Sequence, residues 1–243
     1  MTPEQVDKCS IMMMRAGSYA YGTQVPQKEV PSTLDLPPSD EDIRGVCIPT
    51  DMRYYMGTGV LAFEQKNSWP DGADKVVYDF RKAMKLIAQG NPNMLDLVFC
   101  DEEDYLFKTE YWDRVLEHRD LFITQQLRYK YGGYARSQMQ KLKNRTVNGT
   151  FKWKHAMHLL RLMRMAKEIL ETGEINVRRP DAHELLEVRA GLRPLEDIIQ
   201  EAEALDAVLD DIVSASPLPK KPNVVKIDHL CTNIVLDYLS ENS

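Results

Sequence analysis

The sequence predicts an α+β protein, with strands and helices in its first half and an all-helical part after it. Three observations carry this reading. Up to about residue 105 the apolar residues fall in short runs broken by Gly and Pro; from about 110 onward they recur at helical spacing. With 243 residues, 43% hydrophobic and 28% charged, the chain also has the apolar mass for a core, which excludes disorder as its main state.

In order along the chain, Ile11 to Met14 is a short apolar run that reads as a buried strand, closed by a tight turn at Ala16-Gly17-Ser18. A stretch with Pro26, Pro31, Pro37 and Pro38 leads to a second strand over Asp42 to Ile48, stopped by Pro49. Asp74 to Gln89 carries Val76, Val77, Phe80, Met84, Leu86 and Ile87 near helical spacing and ends at Gly90, with Pro92 beyond, so a helix is expected. Asn93 to Phe99 then reads as a strand enclosing one carboxylate, Asp96. Helices follow over 110–122, 124–143, 151–172, 181–190 and 194–213; after the Pro-rich linker 216–222 comes a terminal helix near 226–240. The expected division is an α/β unit over 1–110 and a helical unit over 111–243.

No run approaches the roughly 20 apolar residues of a membrane helix, and the first residues lack a charged-then-apolar leader pattern. Cys9, Cys47, Cys100 and Cys231 are scattered singly, without zinc-ligand spacing. A cytoplasmic protein without membrane partners is expected, so the N-x-T triplets at 144–146 and 148–150 are not read as sugar acceptors.

The formal net charge of -6 argues against a uniformly basic nucleic-acid coat, yet the charge is unevenly placed. Residues 128–167 hold eleven Lys and Arg and no Asp or Glu, while 168–211 hold thirteen acids against four arginines. Two readings stand side by side: helices of opposite sign that neutralise each other, or a basic surface for RNA, with Tyr129, Tyr131, Tyr134, Phe151 and Trp153 interleaved for stacking. In the second, Arg136, Lys141, Lys143 and Arg145 contact RNA phosphates.

In an extended chain residues i and i+2 share a side, so Asp40 and Asp42 of Ser39-Asp40-Glu41-Asp42 converge while Glu41 faces away. Asp96, alone among apolar neighbours, needs a partner or a cation. Three carboxylates with a Gly-Ser turn suit Mg²⁺ and a nucleoside triphosphate: hard oxygens hold the metal, and the Ser18 hydroxyl and turn amides cradle phosphate oxygens. A second metal lowers the pKa of an attacking hydroxyl, with Asp96 as shared ligand or base; Mn²⁺ suits the same ligands. Met157, Leu160, Met163 and Met165 read as core.

GSYAYGT (17–23), SDEDIRGV (39–46) and DKVVYDFRKAMKLIAQGNPNMLDLVF (74–99), followed by RDLFIT (119–124), YGGYARSQ (131–138), KHAMHLLRL (154–162) and ILETGEI (169–175), resemble the polymerase-β-type nucleotidyltransferase superfamily. Within it they resemble the RNA-ligase-associated branch linked to RNA repair, over about residues 11 to 205. The resemblance implies a phosphate turn at Gly17 and Ser18, metal ligands at Asp40 and Asp42, and Asp96 as third carboxylate. Glu is the commoner residue at that third position, and Asp79 or Asp101 meets the same geometric need. The stretch from Gln24 to Pro38 is longer than the usual link. In the helical part Lys130, Tyr134, Gln138, Lys154, His158 and Arg161 match nucleotide-binding positions. Tyr134 and Gln138 lie i,i+4; Lys154, His158 and Arg161 lie i, i+4, i+7, on one face. His158 reads as a phosphate-facing hydrogen-bonding side chain rather than a metal ligand.

The leading expectation is an enzyme that moves a nucleoside monophosphate from an NTP to an RNA 3′ hydroxyl, such as that of a tRNA or a damaged end. AMP transfer onto a protein and a non-catalytic RNA-binding module are the alternatives. Intact Ser18, Asp40 and Asp42 count against the last.

Overall fold

The computed structural model describes residues 1–25, 34, 36–56, 63–67, 69–70, 72, 74–147 and 152–242, with the side chains of 144–147 left aside. The expected helix start at 151, Phe151, the second N-x-T triplet and most of the 24–38 stretch lie outside them.

The sheet begins with β1 (Ser10–Ala16), preceded by a short helix α1 (Pro3–Lys8) that Thr2 and Gln5 cap reciprocally. β2 (Asp42–Cys47) pairs antiparallel with β1, and β4 (Lys75–Asp79) pairs parallel with β2. Between them lie α2 (Arg53–Met56) and β3 (Gln65–Lys66), which joins β4 antiparallel. β5 (Tyr105–Lys108) closes the other edge against β1, giving the order β3-β4-β2-β1-β5. β1, between β2 and β5, is buried on both faces. Met12 and Met14 point into the main core, and Met13 points to a smaller cluster with Cys47, Val77 and Trp69.

Two expected elements are corrected. The segment 74–89 is not one helix: Lys75–Asp79 is the parallel strand β4, and only Phe80–Ala88 is helical, as α3. Asp79 accepts from the Lys82 amide at 3.3 Å and so caps α3 where the strand ends. Asn93 to Phe99 is not a strand but most of α4 (Pro92–Phe99), with Asn91 as N-cap and Pro92 at its first position. Six of its eight residues, Pro92, Met94, Leu95, Asp96, Leu97 and Val98, are buried, so the helix is covered almost all round.

The remaining helices agree with expectation within a few residues. They are α5 (Glu110–Glu117), continued by a 3₁₀ turn at Arg119–Phe122, then α6 (Leu127–Val147), α7 (Trp153–Thr172), α8 (Ala182–Arg189), α9 (Leu195–Ala215) and α10 (Val224–Asn242). α7 is the axis of this part, buried along Ala156, Met157, Leu160, Met163, Ala166 and Leu170 against α6, α8 and α9. It ends at Gly173, whose φ of 77° lets its amide reach Ile169 O at 2.8 Å. α10 returns to pack on α3 and α5. The fold is thus α+β, a five-stranded mixed sheet with helices. Among the described residues no helix is long and apolar enough to cross a membrane.

Candidate active site

The turn after β1 is fixed by backbone bonds: the Tyr21 amide donates to Gly17 O at 3.1 Å and the Thr23 amide to Ser18 O at 2.9 Å. Gly17 has φ +63°, and a Cβ there would overlap Oδ2 of Asp42. Both facts require glycine. Ala16 pairs with Asp42 across β1 and β2, so the turn and the head of β2 meet at one corner of the sheet. Val46 lies in the main core, which places Asp42 and Arg44 on the same, helix-facing side.

The parallel pairing of Ile43 with Lys75 brings Asp74, just ahead of β4, to the same corner. Its carboxyl group is in hydrogen-bonding contact with that of Asp42, whose pKa is raised by burial and then by Asp74 beside it. Two touching carboxyl groups, one half-buried, repel when both ionise; a hard divalent cation relieves that cost. Asp40 is exposed at the start of β2 on the same rim. Among the described residues no three Asp, Glu, His or Cys side chains stand together as a formed cation cluster. The carboxyl groups nearest to a hard-cation donor set are the Asp42–Asp74 pair, with Asp40 lining the same cavity.

A cavity of about 480 Å³ separates this corner from the helices. From α6 come Tyr134, Gln138 and Lys141, and from α7 Lys154, His158 and Arg161, each set at i, i+4, i+7. Arg44 reaches in from β2, donating to Asn93 O at 2.9 Å, and Arg189 from α8. Tyr134 accepts from Asn91 Nδ2 at 2.8 Å, and Gln138 Oε1 meets His155 Nδ1 at 2.8 Å. The Arg161 guanidinium lies 3.7 Å over the Tyr21 ring, with His158 edge-on to that ring at 6.4 Å. Burial and the cations Arg161 and Lys154 push the His158 imidazole down to about 3.

Gly17, Ser18, Asp40, Asp42, Tyr134, Gln138, Lys154, His158 and Arg161 thus line one cavity, together with Lys141, which the sequence reading had set among the RNA contacts. Asp96 does not. It is 1% exposed on α4 and accepts from the Tyr21 hydroxyl at 2.8 Å, and burial raises its pKa against the pull of Arg161 and Arg44. Its strand placement fails because α4 is helical, and its partner is Tyr21. Asp79 is the buried cap of α3, at the opposite end of β4 from Asp74, and Asp101 binds Arg178. Lys130 is exposed on α6 outside the cavity lining. Arg136 and Lys143 lie toward α9: Arg136 shares a groove with Glu203 and Asp206, and Lys143 pairs with Glu203 at 3.6 Å. The side chain of Arg145 lies outside the described residues.

The basic and acidic segments do neutralise each other in part. Arg128 holds Asp206 and Asp210 at 2.9 and 3.0 Å, and Arg164 holds Asp181, Glu184 and Glu201 within 3.0 Å. Of the interleaved aromatics, Tyr131 is fully buried and Tyr129 is 68% exposed.

Sequence reasoning missed Asp74, Tyr21, Arg44, Asn93 and Arg189. Arg44 and Tyr21 stand inside the two motifs already singled out, so alternation from Asp42 finds the first. Asp74 precedes a run, Lys75-Val76-Val77-Tyr78, whose β-branched pair signals a strand. Arg189 sits in an acidic stretch and carries no local signal.

Residues 13–233 match the family described as the RNA repair pathway DNA polymerase beta family. The chain is also similar to an uncharacterized 38.9 kDa protein of the nrdC-mobD intergenic region of Enterobacteria phage T4. The identity is 27% over 129 residues, covering 51% of this chain and 36% of the phage protein. The match therefore spans little more than a third of that relative's length. No solved structure matches.

Proposed function

The chain belongs to the RNA repair pathway DNA polymerase beta family, and from that premise we propose that it is a divalent-metal-dependent transferase moving a nucleoside monophosphate from an NTP to an RNA 3′ hydroxyl. The observation that carries this reading is the touching carboxyl pair Asp42–Asp74 facing Lys141, Lys154, Arg161 and Arg189 across one cavity. Acids on one wall and cations on the other suit a metal-bound polyphosphate.

In this reading residues 1–110 supply the chemistry and 111–243 the phosphate-holding wall. The Gly17–Ser18 turn cradles phosphate oxygens through its amides and the Ser18 hydroxyl. Lys154 and Arg161 neutralise the chain, with His158 neutral beside them as a hydrogen-bonding group. Tyr134 and Gln138 border the nucleoside. Asp40, Asp42 and Asp74 hold the metal, which when bound offsets phosphate charge and lowers the pKa of the attacking hydroxyl. Asp74, exposed at the rim, accepts that hydroxyl's proton as the 3′ oxygen bonds to the α-phosphorus and pyrophosphate leaves. RNA phosphates run past the cavity mouth at Lys141, with Lys130 on the same face of α6 about three turns before it; Arg136, Lys143 and Arg145 add outlying contacts.

The test is to incubate the protein with each labelled NTP, Mg²⁺, total tRNA and cell lysate. Label should enter RNA and vanish with Asp42→Asn. Label confined to protein would replace this reading with AMP transfer onto a polypeptide, in which the cations paired to the acidic segment serve the fold. Label in neither would remove the enzyme reading.

A further inference from the structure

Cys9 and Cys47 meet in the small cluster on the sheet face opposite the main core, among Val6, Met13, Trp69 and Val77. The Ile48 amide donates to Cys9 O at 2.9 Å and Ser10 pairs with Cys47, so the two cysteines sit on adjoining rungs where β1 and β2 meet. Regular alternation would put them on opposite faces. Cys9 escapes it because it is the C-cap of α1, with φ -100° and ψ 10°, and the register shifts between Ser10 and Met12 just beyond it. The two thiols are in hydrogen-bonding contact, and both are free. Paired residues of antiparallel strands have Cα atoms about 4.5–5.5 Å apart, and a disulfide spans that range.

The pair is asymmetric. Cys47 is fully buried, whereas Cys9 also lines a surface cavity of about 340 Å³ with Lys8, Pro49 and Tyr54, wide enough for a small oxidant. The hydrogen bond from Cys47 holds the Cys9 thiol below its usual pKa, against burial, Asp7 and Asp79, and Cys47 is pushed up in return. Burial pushes Cys100 and Cys231 up to about 12 each, so Cys9 is the thiol most readily ionised. Cys9 Sγ lies 3.5 Å from Val6 O, which also accepts from the Ser10 hydroxyl at 2.8 Å. Losing the thiol proton therefore leaves that carbonyl with a donor.

We propose that Cys9 and Cys47 are a dithiol that hydroperoxides oxidise to a reversible disulfide, with Cys9 as the attacking thiol and Cys47 as the one that resolves it. The Cys9 sulfur bonds to one oxygen of hydrogen peroxide, the O–O bond breaks, and the other oxygen leaves as water with the Cys9 proton, giving a sulfenic acid. The Cys47 sulfur then displaces that hydroxyl, which leaves as a second water with the Cys47 proton as the S–S bond closes. Peroxide gains the two electrons that the thiols lose, and a small thiol such as glutathione returns them by exchange. The bond closes a ring over residues 9–47, which holds the Gly17–Ser18 turn, Asp40 and Asp42. It does so from the far end of the strand pair, since Ser10–Cys47 lies about 20 Å along β1 from Ala16–Asp42. The proposal stands on the thiol pair alone and is independent of the transferase reading.

The test treats the full chain with one equivalent of hydrogen peroxide, alkylates it with N-ethylmaleimide and digests it with trypsin without reductant. Peptide 9–15 should be found joined to peptide 45–53. Tm should rise by about 5 °C, as closing a ring of this length predicts, and return with dithiothreitol. Cys47→Ser should leave Cys9 as a sulfenic acid that dimedone captures, and Cys100→Ser should still cross-link. Cys9 and Cys47 both alkylated after peroxide, or a bridge to Cys100 or Cys231 in place of this one, overturns the proposal. So does dimedone captured by Cys47 in Cys9→Ser but not by Cys9 in Cys47→Ser. The peptide map is read on the unaltered chain, so it decides the matter even where a variant fails to fold.

Discussion

Asp96 accepts a hydrogen bond from the Tyr21 hydroxyl at 2.8 Å, and through it a buried carboxylate on α4 holds the turn that ends β1. The same ring carries Arg161 on its face. Asp96 thus supports the turn and the cationic wall from behind, without lining the cavity.

Tyr21→Phe leaves one buried oxygen of Asp96 without its donor, so it should destabilise the fold by about 1–3 kcal/mol in urea melts. Asp96→Asn keeps an acceptor for Tyr21 and should keep the thermal shift that Mg²⁺ gives. Loss of that shift in Asp96→Asn, with the fold intact, would restore Asp96 as a metal ligand.

Gly17→Ala forces a side chain into a left-handed backbone and against Asp42. The backbone term alone costs about 1–2 kcal/mol, and displacing Asp42 should cut turnover more than stability. Ser18→Ala should be milder, because the turn amides remain. Equal turnover in Gly17→Ala and the unaltered protein would contradict the close approach.

His158 gives a signed pH dependence. Above about 6.5 the imidazole is neutral in folded and unfolded chains alike. Below that the unfolded chain binds a proton that the folded one refuses until about 3, so stability is full above 6.5 and lost as pH falls through this window, by up to about 1.4 kcal/mol per pH unit. His158→Gln should flatten the decline in Tm between pH 6.5 and 4.5. An unaltered slope would mean the imidazole titrates normally.

RNA binding should separate the basic residues by the side they face. Lys141→Ala should lower the salt slope of RNA affinity by about 0.7 to 0.9, while Lys143→Ala, whose lysine pairs with Glu203, should change it less. Arg128→Ala should destabilise the fold through the lost packing of a buried side chain between α6 and α9, since the Asp206 and Asp210 it leaves behind are largely exposed. If Lys143→Ala gives the larger change in slope, the RNA path runs on the α9 side.

Much of this architecture was legible because the signals are local. Helical spacing marks α5 to α10, and Gly17-Ser18 with Asp40 and Asp42 marks one corner of the cavity. Two misread segments share a cause. β4 is five residues long and runs without a break into α3, so Val76, Val77, Phe80 and Met84 counterfeit one helix. α4 is eight residues long and apolar nearly all round, a pattern that periodicity alone cannot tell from a strand; Asn91-Pro92 was the better signal. Asp74 needed the parallel register of β4 on β2, a relation between segments about 30 residues apart. Arg189 needed the packing of α8.

The most direct test is the transfer rate of Asp42→Asn and Asp74→Asn beside Asp79→Asn, with Tm measured for each. The carboxyl pair at the head of β2 and β4 predicts that the first two lose at least about a hundredfold in rate, the scale of one lost electrostatic group, while their Tm holds or rises as like charges part. Asp79→Asn keeps an N-cap acceptor for the Lys82 amide, loses only its charge beside Arg81, and should keep both its fold and its rate. Turnover surviving in Asp42→Asn and Asp74→Asn, or lost only in Asp79→Asn, would contradict the site.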